Sequence, residues 1–152
     1  MIVRSAELSD VEVIHDIIVY YAQKELILYR SVEEITGSLD TFIVAACNGD
    51  VAGIISFHDY GYNLKEIRSL AVNKDYLKQG VGSILVKNMI KKLRDINREA
   101  KIFVLTYSPE FFIKNDFGYV PKHTLPEKIW KDCQNCPHRD NCGESALVFS
   151  RN

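Results

Sequence analysis

The feature that most constrains this chain is the run Lys65 to Leu93, KEIRSLAVNKDYLKQGVGSILVKNMIKKL, in which the apolar period changes midway. Ile67, Leu70, Ala71 and Val72 form a short strand-like cluster, and Asn73 to Gln79 is polar. From Gly80 the apolar positions are Val81, Leu85, Val86, Met89, Ile90 and Leu93, the spacing of one helix face. Gly80 and Gly82 stand where loop becomes helix. A helix start without side chains lets an anionic group approach backbone N–H groups that lack intrahelical acceptors, and the helix dipole favours the negative charge. The stretch reads as a pyrophosphate cradle; the alternative is a helix start at which glycine only relieves crowding.

The remaining sequence suits a single domain over 1–152, large enough to bury a core without staples. Apolar residues are 47% and charged residues 26%, which excludes a disordered tail. A net charge of −1 gives no general electrostatic reason to bind nucleic acid or an anionic membrane, and neither is expected as a partner. No run approaches the roughly 18 apolar residues of a spanning helix, and MIVRSAELSD lacks a signal-peptide layout, so the expected location is cytoplasmic. Cys47 sits alone in an apolar run, while Cys133, Cys136 and Cys142 cluster near the end. In a reducing compartment that cluster points to metal or free thiols over disulfides.

In chain order, Ile2 to Arg4 reads as a strand. Ser9-Asp-Val-Glu12 is a capping-box pattern opening a helix to about Lys24, and Ser31-Val-Glu-Glu34 opens a second over Ser31 to Leu39. Thr41 to Cys47 and Val51 to His58 read as strands joined by a tight turn at Asn48-Gly49-Asp50. Asp59 to Leu64 reads as a turn. Beyond the glycine-started helix come a strand at Ile102 to Leu105 and a helix opened by Ser108-Pro109, expected to end near Asn115. Strands at Phe117 to Val120 and Ala146 to Ser150 flank a third capping-box pattern at Thr124, a short helix Leu125 to Lys131, and a cysteine-containing segment within 124–145. The expected fold is α/β (α+β): one domain with a mixed, mostly antiparallel central sheet flanked by helices.

Tyr76-Leu77-Lys78-Gln79-Gly80-Val81-Gly82-Ser83 resembles the core motif of the GNAT acetyltransferase superfamily: Arg or Gln, two residues, Gly, one residue, Gly or Ala. Leu77 stands at the usual Arg/Gln position, with Lys78 and Gln79 as polar neighbours. Phe111-Phe112-Ile113-Lys114-Asn115-Asp116-Phe117 is similar to a second signature of that family, where a helix packs beside the CoA chain. A narrower likeness, to short bacterial N-acetylglutamate synthase-like proteins, is carried by Leu28-Tyr29-Arg30-Ser31, by Glu66 to Val72, and by Leu125 to Cys133 with Cys136 and Cys142. The resemblance implies acetyl-CoA as donor, held by Leu70, Ala71, Val72, Leu77, Lys78, Gln79, Gly80, Val81, Gly82, Ser83 and Phe112. It also implies L-glutamate as acceptor, at the first step of arginine biosynthesis.

Acetyl transfer to an amine needs a neutral nucleophile, donors for the developing oxyanion and a proton for the leaving thiolate. Glu66 is the candidate base, its alternative being a strand-edge carboxylate paired with Lys65 or Arg68. By family likeness the amide of Ala71 or Val72 polarises the acetyl carbonyl. Many family members have Tyr where this chain has Phe112, and a phenyl ring cannot donate a proton. Tyr107 and Ser108 are the hydroxyls at hand; Ser108 also suits a helix N-cap, and water can serve as the acid. A dicarboxylate acceptor calls for fixed cations, and Arg binds a carboxylate with two parallel bonds. The candidates are Arg30 with Ser31, Arg68 and Lys128; the alternative for Arg30 is an ion pair with Glu33 or Glu34. Cys133, Cys136, Cys142 and His138 would complete a tetrahedral structural zinc site, against a reduced cysteine cluster packing the last loop. His15, His58 and His123 read as isolated polar residues.

Two further functions stay open: acetylation of another amine (amino acid, polyamine or protein), and an acyl-CoA-binding sensor without catalysis. A homodimer is the oligomeric expectation to be tested.

Overall fold

The computed structural model describes residues 1–61, 63–125 and 145–150, and the chain forms two compact units, Met1–Ala100 and Lys101–Asn152. In the first, β1 (Ile2–Ser5), β2 (Phe42–Cys47), β3 (Asp50–Gly61) and β4 (Leu64–Val72) pair antiparallel in sequence order. Three helices accompany them: α1 (Val11–Ala22), α2 (Val32–Gly37) and α3 (Val81–Ile96). The fold class is α/β, as expected. The β2–β3 turn is two residues long, Asn48 and Gly49, with φ of 53° and 86°. Positive φ at both central positions matches the right-handed twist of the flanking strands and explains why Asn-Gly is found there.

Helices α1 and α3 lie on opposite faces of this sheet. Val11, Ile14, Ile17 and Ile18 of α1 share one buried cluster with Phe42, Val44, Ile54 and Ala71. Next to Ile54, a Cβ placed on Gly53 would come within 2.7 Å of Val81 Cγ1 and 3.0 Å of Leu85 Cδ1, so the start of α3 presses on that other side. Successive strand residues face opposite ways, which puts the two helices on the two faces. Val81, Leu85, Val86, Met89 and Leu93 of α3 are at most 1% exposed. Each such side chain contributes about 1.5–3 kcal/mol by leaving water, and together they seat the glycine-started helix.

Several boundaries differ from expectation. The Ser9–Glu12 capping box does not form. Instead Asp10 ends a 3-10 turn, Leu8–Asp10, and accepts from the Glu7 amide at 2.7 Å and from Arg4 at 2.7 and 3.0 Å. With that carboxylate engaged, α1 begins at Val11 and stops at Ala22. The second capping box forms as read: Ser31 Oγ accepts from the Glu34 amide at 3.1 Å. β3 runs on through Gly61, so Tyr60 belongs to a strand and not to a turn.

In the second unit, β7 (Ser145–Phe149) pairs antiparallel with both β5 (Lys101–Thr106) and β6 (Phe117–Tyr119). The short helix α4 (Pro109–Ile113) ends before Asn115 and contributes Phe112 to an edge-to-face aromatic row with Phe111, Phe117 and Phe149. Of the third capping box only Thr124, which ends the 3-10 turn Lys122–Thr124, and Leu125 are described; the rest of the box, the helix expected over 125–131 beyond Leu125, and Cys133, Cys136 and Cys142 lie outside the described residues.

Candidate active site

The site on the first unit depends on an irregularity in β4. Ile54 pairs with Ala71 and Ser56 with Arg68, so two steps along β3 match three along β4. The extra residue is a bulge, and Ser69 within it has a φ of 51°. An odd insertion inverts the in/out alternation. Glu66 and Arg68 therefore lie on the face occupied by Ala71 and α1; in an unbroken strand they would lie opposite. The bulge thus sets the face on which Arg68 lies. His58 and Ser56 are the cross-strand partners of Glu66 and Arg68 on that face.

Glu66 is 7% exposed and pairs with Arg68, whose Nε donates to its Oε1 at 2.6 Å. The Tyr60 hydroxyl donates to the same Oε1 at 2.9 Å and accepts from Arg68 Nη2 at 2.7 Å. Both donors converge on Oε1, and Oε2 carries no hydrogen bond among the described residues. Burial, with the charge of Glu66, pushes the Tyr60 phenol up to about 12, so it stays protonated as a donor. Burial opposes the Arg68 charge, but Glu66 and Tyr60 outweigh it and hold the guanidinium above its ordinary value. The alternative partner Arg68 is thus realised, and Lys65 pairs elsewhere, with Asp59 at 2.8 Å.

Arg30 behaves differently from Arg68. Its Nη1 donates to Ser56 Oγ at 3.2 Å and Ser69 Oγ at 3.3 Å, and its Nη2 to Ser38 Oγ at 2.8 Å. The guanidinium also lies 5.0 Å from the centre of the Phe42 ring. Among the described residues no carboxylate is within ion-pair distance of Arg30; Glu34 is turned to Ser31. Burial, then the nearby charge of Arg68, lowers the Arg30 guanidinium below its ordinary value, with Glu34 in opposition. Neutral hydroxyls take three of its N–H donors without neutralising it, which leaves a cation suited to an incoming anion. Ser31, expected to bind the acceptor, spends its hydroxyl as the α2 cap.

His58, read from the sequence as an isolated polar residue, has partners in the fold. Its ring packs edge-on against Tyr60, centroids 4.5 Å apart, directly across from Glu66. Burial, then the Arg68 charge, lowers it below the usual histidine range, so it is neutral near pH 7. The even-numbered series Ser56, His58, Tyr60 was a usable signal only once the strand was known to reach Gly61.

Downstream of the bulge, Leu70 to Val72 lead into a loop holding a 3-10 turn, Lys74–Tyr76, and then into α3. Gly80 is the N-cap of α3 with a φ of 78°, and a Cβ there would meet nothing within 4 Å. Backbone conformation, not crowding, demands that glycine. The first intrahelical bond runs from the Ile84 amide to the Gly80 carbonyl, so the amides of Val81 and Gly82 precede the ladder. Leu77, Lys78 and Gln79 are all exposed beside this helix start. Tyr21 of α1 donates its hydroxyl to the Val72 carbonyl.

The remaining candidates belong to the second unit. Tyr107 and Ser108 are exposed at the end of β5 and the start of α4; Ser108 takes the N-cap position, yet its hydroxyl makes no capping bond. Phe112 is 4% exposed within its aromatic row. Lys128, Cys133, Cys136, His138 and Cys142 lie outside the described residues, and among the described residues no cluster of His, Cys, Asp or Glu could hold a metal ion. Nor, among them, is any helix long and apolar enough to cross a membrane.

Residues 11–115 match the acetyltransferase (GNAT) family. An uncharacterised N-acetyltransferase of Chlorobaculum tepidum is 38% identical over 146 residues, 96% of this chain and 94% of its own. An amino-acid acetyltransferase of Mycobacterium tuberculosis is 31% identical over 134 residues, covering 86% of this chain and 76% of that protein. In fold, N-acetylglutamate synthase of Neisseria gonorrhoeae, solved with coenzyme A and N-acetyl-glutamate, superimposes with a TM-score of 0.88 at 24% identity. That match covers 99% of this chain but 35% of the Neisseria enzyme, so the chain spans about a third of its length. With a glycine-capped α3 beside a bulged β4, and a family match over most of its length, the chain belongs to the GNAT acetyltransferase family and is an acetyl-CoA-dependent N-acetyltransferase.

Proposed function

We propose that this enzyme transfers the acetyl group to the α-amino group of L-glutamate, the first step of arginine biosynthesis, in the cytoplasm. The observation that carries this reading is Arg30: a partly buried guanidinium bonded to three serine hydroxyls, with no carboxylate partner among the described residues. An acidic acceptor would supply the missing charge, through the two-pronged contact that guanidinium favours. The amino-acid acetyltransferase from Mycobacterium tuberculosis supports the same acceptor class.

On this reading the amides of Val81 and Gly82, with Lys78 and Gln79, meet the pyrophosphate, and the backbone of Leu70 to Val72 runs along the donor. Glu66 Oε2 takes the proton of the acceptor ammonium through a water, while Arg68 and Tyr60 hold Oε1 in place. The neutral amine attacks the thioester carbonyl, and the amide of Ala71 or Val72 receives the oxyanion. The C–S bond then breaks and the thiolate takes a proton from Tyr107, Ser108 or water. Phe112, buried and without a hydroxyl, cannot be that proton donor.

The test is release of free CoA thiol from acetyl-CoA with a panel of amines that includes glutamate, other amino acids, polyamines and peptides. Turnover on glutamate supports the proposal; turnover confined to other amines refutes the acceptor. CoA binding without turnover on any amine of the panel also refutes glutamate as the acceptor.

A further inference from the structure

Ser69 holds a left-handed backbone, φ 51°, inside a strand. That conformation disfavours any residue bearing a Cβ, so it persists only where surrounding contacts impose it. Beside the strand pairing that flanks the bulge, the side-chain hydrogen bonds at it, among the described residues, start from one nitrogen. Arg30 Nη1 donates to Ser69 Oγ and also to Ser56 Oγ, and Ser56 Oγ donates onward to the Arg68 carbonyl at 3.1 Å. Arg30 therefore grips the bulge residue directly and the peptide before it through one hydroxyl. Its other edge is different: among the described residues Nε makes no hydrogen bond, and Nη2 has one of its two protons in use, on Ser38.

We infer that Arg30 is a positioning residue for the donor strand: its Nη1 holds the Ser69 bulge, and thereby the Leu70–Val72 backbone, while its Nε/Nη2 edge receives the acceptor carboxylate. The inference rests on the donor and acceptor readings given above. It makes the two substrates linked ligands. A carboxylate that fixes the guanidinium also fixes the bulge, and by reciprocity bound donor favours the acceptor.

The test titrates CoA alone, by calorimetry, into wild type, S69A, S69G, R30A and the S69G/R30A double variant. Alanine pays the left-handed penalty without the Arg30 bond, so S69A and R30A each weaken CoA about tenfold. Glycine adopts this φ unaided, so S69G stays within about threefold of wild type. In the S69G background R30A adds no further loss, a coupling that a merely structural arginine would not give. The double variant also keeps the comparison available if R30A alone folds poorly. S69G binding as weakly as S69A, wild-type affinity in S69A, or equal R30A losses in both backgrounds overturns the inference. A wild type that does not bind CoA overturns the donor reading with it. A wild type that binds CoA but leaves glutamate unacetylated overturns the glutamate acceptor alone.

Discussion

Truncation of Arg30 tests the acceptor site most directly. Among the described residues its guanidinium has hydroxyl partners and no carboxylate within ion-pair distance, and on the proposed reading the acceptor carboxylate takes that place. A hydrogen bond to a charged group contributes about 1.5–3 kcal/mol net, and removing one partner of a largely desolvated charge pair costs about 2–5 kcal/mol. Taking about 3 kcal/mol, R30A raises the glutamate KM about 150-fold at saturating acetyl-CoA. R30K keeps the charge but loses the planar fork, and raises it about tenfold. The assay is initial-rate thiol release, run in parallel with glutamate and with its α- and γ-monoamides. One of those amides already lacks the carboxylate that Arg30 holds, so its KM changes less than about threefold in R30A, as a double-mutant cycle requires. An unchanged glutamate KM, or an equal loss on glutamate and both amides, refutes the assignment.

Glu66→Gln removes the proposed base and should lower kcat by about 100-fold or more with little change in acetyl-CoA KM; a full-rate variant would end that role. Tyr60→Phe strips Arg68 Nη2 of its acceptor and should cost about 1–3 kcal/mol in chemical denaturation. Because the Tyr60 phenol titrates at about 12 folded against 10.0 ordinarily, its share of stability is complete below pH 10 and declines toward pH 12; ultraviolet difference titration of wild type against Y60F checks this. Asp10, held below its usual value chiefly by the Arg4 hydrogen bonds, stabilises the fold above the ordinary carboxylate range, and that contribution fades as pH falls through its lowered value. D10N should therefore flatten the acid limb of a thermal-stability profile. Gly53→Ala forces a methyl toward Val81 and Leu85 and should cost about 1–3 kcal/mol, measured by urea unfolding, and weaken CoA by displacing the start of α3.

Much of the architecture was legible because its signals are local. The Ser31–Glu34 box, the Asn48-Gly49 turn and the Gly80 helix start each follow from a few adjacent residues and the backbone angles they permit. Local signals also misled: Ser9 and Glu12 have the right spacing for a capping box, but Arg4 draws Asp10 into a different one. Arg4 reaches it only once β1 is in the sheet.

The sequence by itself determined the succession of strands and helices, the glycine-capped α3 and the residue types an acyltransfer site requires. Tertiary structure decided which of those residues meet. Strand register belongs to a pair of strands and is written in neither alone, so the Ser69 bulge could not be read from β4. That one extra residue turns Glu66 and Arg68 onto the face of His58 and Arg30. Without it, the same sequence would place Glu66 and Arg30 on opposite sides of the sheet.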